Sequence, residues 1–135
     1  MEIVRINRNG ATYSIRPGGN PDIASICAVV FNVLLEYGLT PDTNGKDQDL
    51  ADIETNFLAN GGFFGILTTD IQVIGTFGLF RLDHRTCELR KMYLLKPFRG
   101  QGLGKFMLAT ALEEARRLGF SKVTLETVRL LDRMK

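Results

Sequence analysis

Residues 88–105 have the sequence ELRKMYLLKPFRGQGLGK, and this stretch decides the fold. Its first half is a largely apolar strand that ends at a proline, and its second half is a glycine-rich turn that opens a helix. Glycine lets the backbone bend tightly and lets a ligand approach it closely. The first N–H groups of a helix have no partner within the helix and carry a partial positive charge. The turn over residues 99–105 therefore predicts an anion site, with phosphate as the usual anion.

The composition predicts one domain over residues 1–135. Hydrophobic residues make up 44% of the chain and charged residues 24%, as in ordinary folded domains with a core. The net charge of +2 is too small to indicate nucleic-acid binding. The sequence contains no stretch typical of a membrane span or a signal peptide, so we expect no membrane partner. Cys27 and Cys87 form no metal-ligand pattern, so we expect no metal and a reduced, cytoplasmic setting.

Hydrophobic periodicity and turn residues predict the other elements. Strands are expected over residues 11–16, 63–67, 72–81, 87–95 and 122–127. A helix is expected from Asp22 to Gly38, with its apolar stripe formed by Ile23, Ile26, Cys27, Val30, Phe31, Leu34 and Leu35. A short second helix would present Leu50, Ile53 and Phe57. The helix after the glycine-rich turn would present Leu108, Ala111, Leu112, Ala115 and Leu118.

The order of these elements predicts the fold class. Hairpins join the middle strands, and a helical crossover joins strand 87–95 to strand 122–127, which makes that pair parallel. The expected class is α+β, or mixed α/β, with a mostly antiparallel sheet flanked by helices.

Two familiar phosphate-binding patterns do not fit the glycine-rich turn. The P-loop pattern requires a glycine and a hydroxyl residue where this chain has Arg99 and Phe106. The dinucleotide pattern Gly-x-Gly-x-x-Gly requires a third glycine where the chain has Lys105 or Met107, depending on the starting glycine.

A third pattern does fit. The six residues RGQGLG at 99–104 match the Arg/Gln-x-x-Gly-x-Gly/Ala signature, and the segment resembles the GNAT superfamily of acyl-CoA-dependent N-acyltransferases. The strand before the turn resembles that family's fourth strand, and the helix after the turn resembles its third helix. The final strand, which contains the sequence Leu-Glu-Thr, resembles the family's fifth strand. The resemblance implies a GNAT-like fold whose fourth and fifth strands are the parallel pair.

The resemblance implies an N-acetyltransferase that transfers an acetyl group from acetyl-CoA to a primary amine of a small molecule or peptide, by direct attack in a ternary complex. The backbone of the glycine-rich turn would bind the CoA pyrophosphate through Arg99, Gly100, Gln101, Gly102, Leu103, Gly104 and Lys105. The side chains of Arg99 and Lys105 would either contact phosphate or remain solvated.

The resemblance also implies that the parallel pair splays at a bulge, where the pantetheine arm lies against the backbone of Met92, Tyr93 and Leu94. One of those N–H groups would polarise the thioester carbonyl. The apolar run after Arg90 and Lys91 fits a bulge, and it fits equally a strand buried on both faces.

The acceptor amine must lose a proton, because an alkylammonium has a pKa of about 10.4. Glu88 and Glu126 are the candidate general bases, directly or through a water, and each also has an ordinary structural interpretation. His84 is expected in a solvated turn and Cys87 in the core. The resemblance implies that the acceptor site lies over residues 36–57. The acidic side chains of this region suit a cation, and they also fit an ordinary solvated loop: Glu36, Asp42, Asp47, Asp49 and Asp52.

The sequence departs from the family after the fifth strand. Family members usually continue with a helix carrying a tyrosine acid and with two further strands, which we expect to be missing here. Truncation, strands supplied by a partner, and a reduced CoA-binding member remain three alternatives. An unpaired strand edge predicts a homodimer. The alternative function is a non-catalytic CoA-binding or protein-interaction module.

Overall fold

A computed structural model describes residues 1–126, which form one six-stranded sheet with a long helix on each face. The strands and helices occupy β1 Val4–Arg8, β2 Ala11–Pro17, α1 Ile23–Glu36, β3 Phe63–Thr68, β4 Val73–Arg81, β5 Thr86–Leu94, α2 Leu103–Arg117 and β6 Lys122–Leu125. The end of the expected final strand at Thr127, and all residues after it, lie outside the described residues.

The sheet confirms the predicted class. Its strands lie in chain order, and every neighbouring pair is antiparallel except β5 and β6. The two parallel strands are the segments expected from the crossover. They are the fifth and sixth strands of this chain rather than the fourth and fifth, because the structure has one more strand at its N-terminal edge.

The additional strand is β1, which the sequence analysis missed. It pairs with β2 from Val4↔Ile15 to Arg8↔Ala11. Asn9 and Gly10 connect the two strands with φ values of 53° and 80°. Positive φ at both central residues is typical of a type I′ hairpin turn, for which Asn-Gly is the preferred pair. The Asn-Gly dipeptide was therefore the signal that could have found this hairpin.

The core has two layers, one on each face of the sheet. One layer packs α2 against the sheet, and the other packs α1 and the following turns against the opposite face. The expected second helix is instead a 3₁₀ turn over Gln48–Ala51 followed by a π turn over Glu54–Leu58. Leu50, Ile53 and Phe57 are buried as expected.

Both long helices are rotated about their axes relative to the expected apolar faces. In α1, Leu35 is 64% exposed, while Val29 and Val33 are buried instead. In α2, Leu108, Leu112 and Leu118 are exposed, and the buried side chains are Leu103, Met107, Ala111, Glu114 and Ala115. Met107 lies over Gly75 of β4, where even a methyl group would come within 2.9 Å of its sulfur. This close approach sets which face of α2 meets the sheet.

Within residues 1–126, none of the helices combines the length and the apolar character that crossing a membrane would require.

Candidate active site

A β-bulge interrupts β5 at Lys91 and Met92. Thr76 pairs with Tyr93 and Gly78 pairs with Arg90, so two residues of β5 lie opposite the single residue between them on β4. Lys91 has φ of 55°, a left-handed conformation that is uncommon for a residue other than glycine. The Thr76 hydroxyl donates to the Lys91 carbonyl at 2.7 Å and holds the bulge in place. The bulge expected in this strand is therefore present.

Strands β5 and β6 pair over only four positions, from Thr86↔Lys122 to Leu89↔Leu125. One more hydrogen bond joins the Glu126 N–H to the Leu89 carbonyl at 3.2 Å. Within residues 1–126, the ladder between β5 and β6 ends there, before it reaches Met92 and Leu94. In the described part of the chain, the parallel pairing of the two strands therefore stops at the bulge.

The same three residues line a cleft of about 240 Å³ between β5 and α1. Its other walls come from Val33, Leu34, Tyr37 and Arg99. The lining is mostly apolar, and its side chains with polar groups are Tyr37, Tyr93 and Arg99. The cleft suits a flexible chain with an apolar surface and a polar end.

The glycine-rich turn is open at the start of α2. Gly100 and Gly102 have φ values of 84° and 85°, which glycine adopts without strain. The first helical bond runs from the Phe106 N–H to the Gly102 carbonyl, so the preceding N–H groups have no acceptor within the helix. A methyl group added at Gly100 or Gly104 would meet no atom within 4 Å. Backbone donors and free space therefore coincide here.

A charged cluster surrounds the bulge. Lys91 is fully buried, and its Nζ lies 3.5 Å from Asp47, 3.3 Å from Asp49 and 3.2 Å from Glu126. It also donates to the Lys46 carbonyl at 3.0 Å. Arg90 contacts Glu88 at 2.5 Å and Asp49 at 3.5 Å, and its guanidinium lies 3.7 Å from the centre of the Phe80 ring. We call these six charged residues the bulge cluster: Asp47, Asp49, Glu88, Arg90, Lys91 and Glu126.

Comparison with known proteins identifies the family. The sequence profile of the "Acetyltransferase (GNAT) family" matches residues 30–133. The chain belongs to the GNAT acetyltransferase family. Both the bulge of β5 and the glycine-rich helix start lie inside the matched region.

Curated relatives of this GNAT chain carry N-acetyltransferase names. It is 34% identical to "Uncharacterized N-acetyltransferase YjgM" of Escherichia coli, over 82% of this chain and 69% of that protein. It is 30% identical to the "Aminoalkylphosphonate N-acetyltransferase" of Salmonella typhimurium, over 84% of this chain and 73% of that one. Human "N-acetyltransferase 8B" is 32% identical over 58% of this chain, which spans only 37% of the human protein.

Solved structures share the fold. A GNAT-family acetyltransferase from Staphylococcus aureus superposes with a TM-score of 0.77 at 25% identity, covering 84% of this chain and 72% of that one. A predicted acetyltransferase from Clostridium acetobutylicum, crystallised with acetyl-CoA, gives 0.70 at 19% identity, covering 84% and 79%. The sheet and helices described above are therefore those of a GNAT domain.

The two carboxylates expected as bases lie together in this GNAT domain. Glu126 accepts the Lys91 N–H at 2.9 Å and the Lys91 Nζ at 3.2 Å, whereas Glu88 accepts from Arg90 Nε. When all its members are ionised, the bulge cluster holds four carboxylates against two cations. The net excess of two negative charges would attract a cationic amine.

Asp49 has an unusual environment within the bulge cluster. Burial raises the pKa of its carboxyl above the ordinary value, and nearby Glu126 raises it further, while Lys91 and Arg90 oppose the shift. Sequence reasoning placed Asp47 and Asp49 only in a generally acidic region. It missed Lys91, although a paired Arg90-Lys91 in an otherwise apolar strand is a recognisable break in the pattern.

The other acidic residues of the expected acceptor region form hydrogen bonds or an ion pair with residues outside the bulge cluster. Asp42 accepts the Lys46 N–H, and Asp52 accepts from Asn20 and from the Thr55 N–H. Glu36 receives both terminal nitrogens of Arg99 at 2.7 and 2.9 Å, and this guanidinium lowers the pKa of the Glu36 carboxyl.

The ion pair with Glu36 also fixes the position of the Arg99 side chain. Its Nε donates to the Leu94 carbonyl at 2.9 Å, so the guanidinium joins the end of β5 to the end of α1. Lys105, the other expected cation, is exposed on the first turn of α2.

Three remaining expectations concern residues outside this arrangement. His84 lies exposed in the turn between β4 and β5. Cys87 is fully buried, and burial raises the pKa of its thiol. Within residues 1–126, no group of three His, Cys, Asp or Glu side chains is arranged to hold a metal ion.

Proposed function

We propose that this GNAT chain transfers an acetyl group from acetyl-CoA to a primary amine of a small molecule or peptide, by direct attack within a ternary complex. The observation that carries the proposal is that three features adjoin one another: the glycine-rich helix start, the end of the β5–β6 ladder and the charged bulge. The relatives named as N-acetyltransferases and the structural relative crystallised with acetyl-CoA support it.

The residues present fit acetyl-CoA as a substrate. The backbone N–H groups of residues 100–105 would hold its pyrophosphate, since they combine free space with donors at a helix N-terminus, whereas the Arg99 N–H donates to the Lys96 carbonyl at 3.2 Å. The backbone of Met92, Tyr93 and Leu94, beyond the end of the β5–β6 ladder, would pair with the pantetheine arm. When bound, acetyl-CoA supplies an activated thioester. One N–H of these three residues would stabilise negative charge on the carbonyl oxygen.

The bulge cluster would receive and deprotonate the amine. We propose Glu88 as the general base, directly or through a water. Glu126 is the second candidate, and its two oxygens both accept from Lys91, so it also holds the bulge in shape. The negative excess of the cluster would favour a cationic acceptor over a neutral one. The homodimer and the cytoplasmic setting stay predictions.

The test of the proposed function combines binding with turnover. We expect acetyl-CoA at about one hundred times its Kd to raise the melting temperature by roughly 5–10 °C. We expect free CoA thiol to be released with at least one member of a panel of polyamines, amino acids, aminoglycosides, aminoalkylphosphonates and peptides. A thermal shift without thiol release would favour the non-catalytic module, and no shift at all would contradict the acetyl-CoA site.

Substituting the proposed base separates its role from that of the rest of the cluster. Glu88→Gln keeps the shape of the side chain but removes the carboxylate, so we expect kcat to fall by about 10²-fold with little change in the KM for acetyl-CoA. The matched control is Glu113→Gln, because Glu113 pairs with Arg116 on the exposed face of α2. Equal kcat values for the two variants would exclude Glu88 as the base.

A further inference from the structure

The β1–β2 hairpin contacts the glycine-rich turn. Asn9 in the hairpin turn donates from Nδ2 to the Oε1 of Gln101 at 3.2 Å. A methyl group placed on Gly102 would lie 3.6 Å from Nε and 3.9 Å from Nη2 of Arg8. A cation near the N-terminus of the chain therefore lies beside the residue that caps α2.

The Arg8 guanidinium has donors available. Its Nη1 donates to the Asn7 carbonyl at 2.9 Å. Among residues 1–126, no carboxylate pairs with Arg8, and its Nε and Nη2 make no hydrogen bond. The contrast with Arg99 is clear, since the Arg99 guanidinium is shared between Glu36 and the Leu94 carbonyl.

We propose that Arg8 supplies a phosphate-binding cation of the acetyl-CoA site. This inference rests on the proposed function and adds to it a residue outside the glycine-rich signature. A guanidinium presents several N–H donors in a planar fork that matches phosphate oxygens, and it keeps its charge at all relevant pH values. The backbone donors of the helix start and the Arg8 side chain would then contact one phosphate group from two sides.

The hairpin turn positions Arg8 beside the start of α2. The tight Asn9-Gly10 turn fixes the end of β1, and the hydrogen bond from Asn9 fixes that turn against Gln101. Ile6, two residues before Arg8 on the same face of β1, packs into the core layer that contains α2. The Arg8 side chain thus leaves the strand on the side of α2.

Arg5 offers a matched control within the same strand. Its position in β1 differs from that of Arg8 by an odd number of residues, so its side chain lies on the opposite face of the sheet. Both arginines are exposed, and both substitutions remove one positive charge. Only Arg8 is adjacent to the glycine-rich turn.

The test is the dissociation constant of CoA measured by titration calorimetry for Arg8→Ala and Arg5→Ala, at about 50 mM and about 500 mM salt. We expect Arg8→Ala to weaken binding about 5–10-fold at low salt and less at high salt, and Arg5→Ala to stay within about 2-fold of the wild type. Arg8→Lys should recover part of the loss. Unchanged melting temperatures without ligand would show that both variants are folded.

Repeating the titration with 3′-dephospho-CoA identifies the phosphate. An Arg8 effect that persists supports a contact with the pyrophosphate. An effect that vanishes assigns the contact to the 3′-phosphate and overturns the proposal that Arg8 and the backbone donors share one phosphate group. If the wild type binds CoA and Arg8→Ala binds it as well as Arg5→Ala does, the Arg8 inference is overturned and the proposed function stands. If the wild type does not bind CoA, both are overturned.

Discussion

Replacing Gly104 with aspartate is expected to remove acetyl-CoA binding while leaving the fold intact. Gly104 is in the first turn of α2, its φ is not positive, and a Cβ atom added there would meet no atom within 4 Å beyond its chain neighbours and the backbone of its own helix. An acidic residue is favourable at a helix N-terminus, and glycine is a poor helix former. The substitution should therefore leave the melting temperature of the free protein unchanged or slightly higher.

The same change puts a negative charge where the pyrophosphate would bind. Close like charges cost several kcal/mol, and about 1.4 kcal/mol corresponds to a tenfold change in affinity. We expect the Kd of acetyl-CoA to rise about 10³-fold, measured by calorimetry or by loss of the thermal shift. Gly104→Ala is the control, because the signature accepts alanine at this position, and it should bind within about 5-fold of the wild type. Wild-type affinity in Gly104→Asp would mean that the phosphate binds elsewhere.

Replacing Lys91 with methionine is expected to destabilise the protein by about 3–5 kcal/mol at pH 7. Methionine is unbranched and similar in length, so the left-handed backbone and the packing are changed little. The substitution leaves Asp47, Asp49 and Glu126 without the cation that they share, and removing one partner of a buried ion pair typically costs this much. Urea denaturation measures the loss. Lys122→Met, at an exposed position of β6, is the control and should change stability by less than about 0.5 kcal/mol.

The loss of stability caused by Lys91→Met should become smaller as pH falls. Burial already raises the pKa of Asp49, and the Lys91 charge that opposes this shift is absent in the variant. With its pKa raised in the folded state, Asp49 binds more protons there than in the unfolded chain, so its own contribution to the free energy of unfolding grows as pH falls toward about 4. The difference between variant and wild type should therefore be smaller at pH 5 than at pH 7. A constant difference would show that Asp49 does not carry the uncompensated charge.

Local patterns sufficed to predict the elements whose residues lie close together in the chain. The glycine-rich turn, the strand before it and the helical crossover to β6 are all contained in residues 86–125, and the fold class followed from them. Strand β1 is different. Its five residues alternate only weakly, and the strand is defined by pairing with β2 through a turn that the dipeptide Asn9-Gly10 specifies.

Hydrophobic periodicity alone does not determine which face of a helix packs against the sheet. Both Met107 and Leu108 belong to plausible apolar stripes of α2, and hydrophobicity alone does not choose between them. The choice is made by Gly75 on β4, which gives room for Met107. The bulge cluster could be predicted only in part for a similar reason, because its members come from segments up to 79 positions apart, between Asp47 and Glu126.

The burial of Lys91 has a practical consequence for altering substrate preference by exchanging surface loops. The segment around residues 42–52 covers the bulge and is an obvious target for transplantation between relatives. Its carbonyl at Lys46 and its carboxylates at Asp47 and Asp49 are, however, all bound to one lysine of the sheet. A grafted loop that lacks these three acceptors would leave an ammonium group buried beneath it. Such chimaeras should therefore keep Asp47, Asp49 and the backbone path at residue 46, and only the other positions of the segment should be varied.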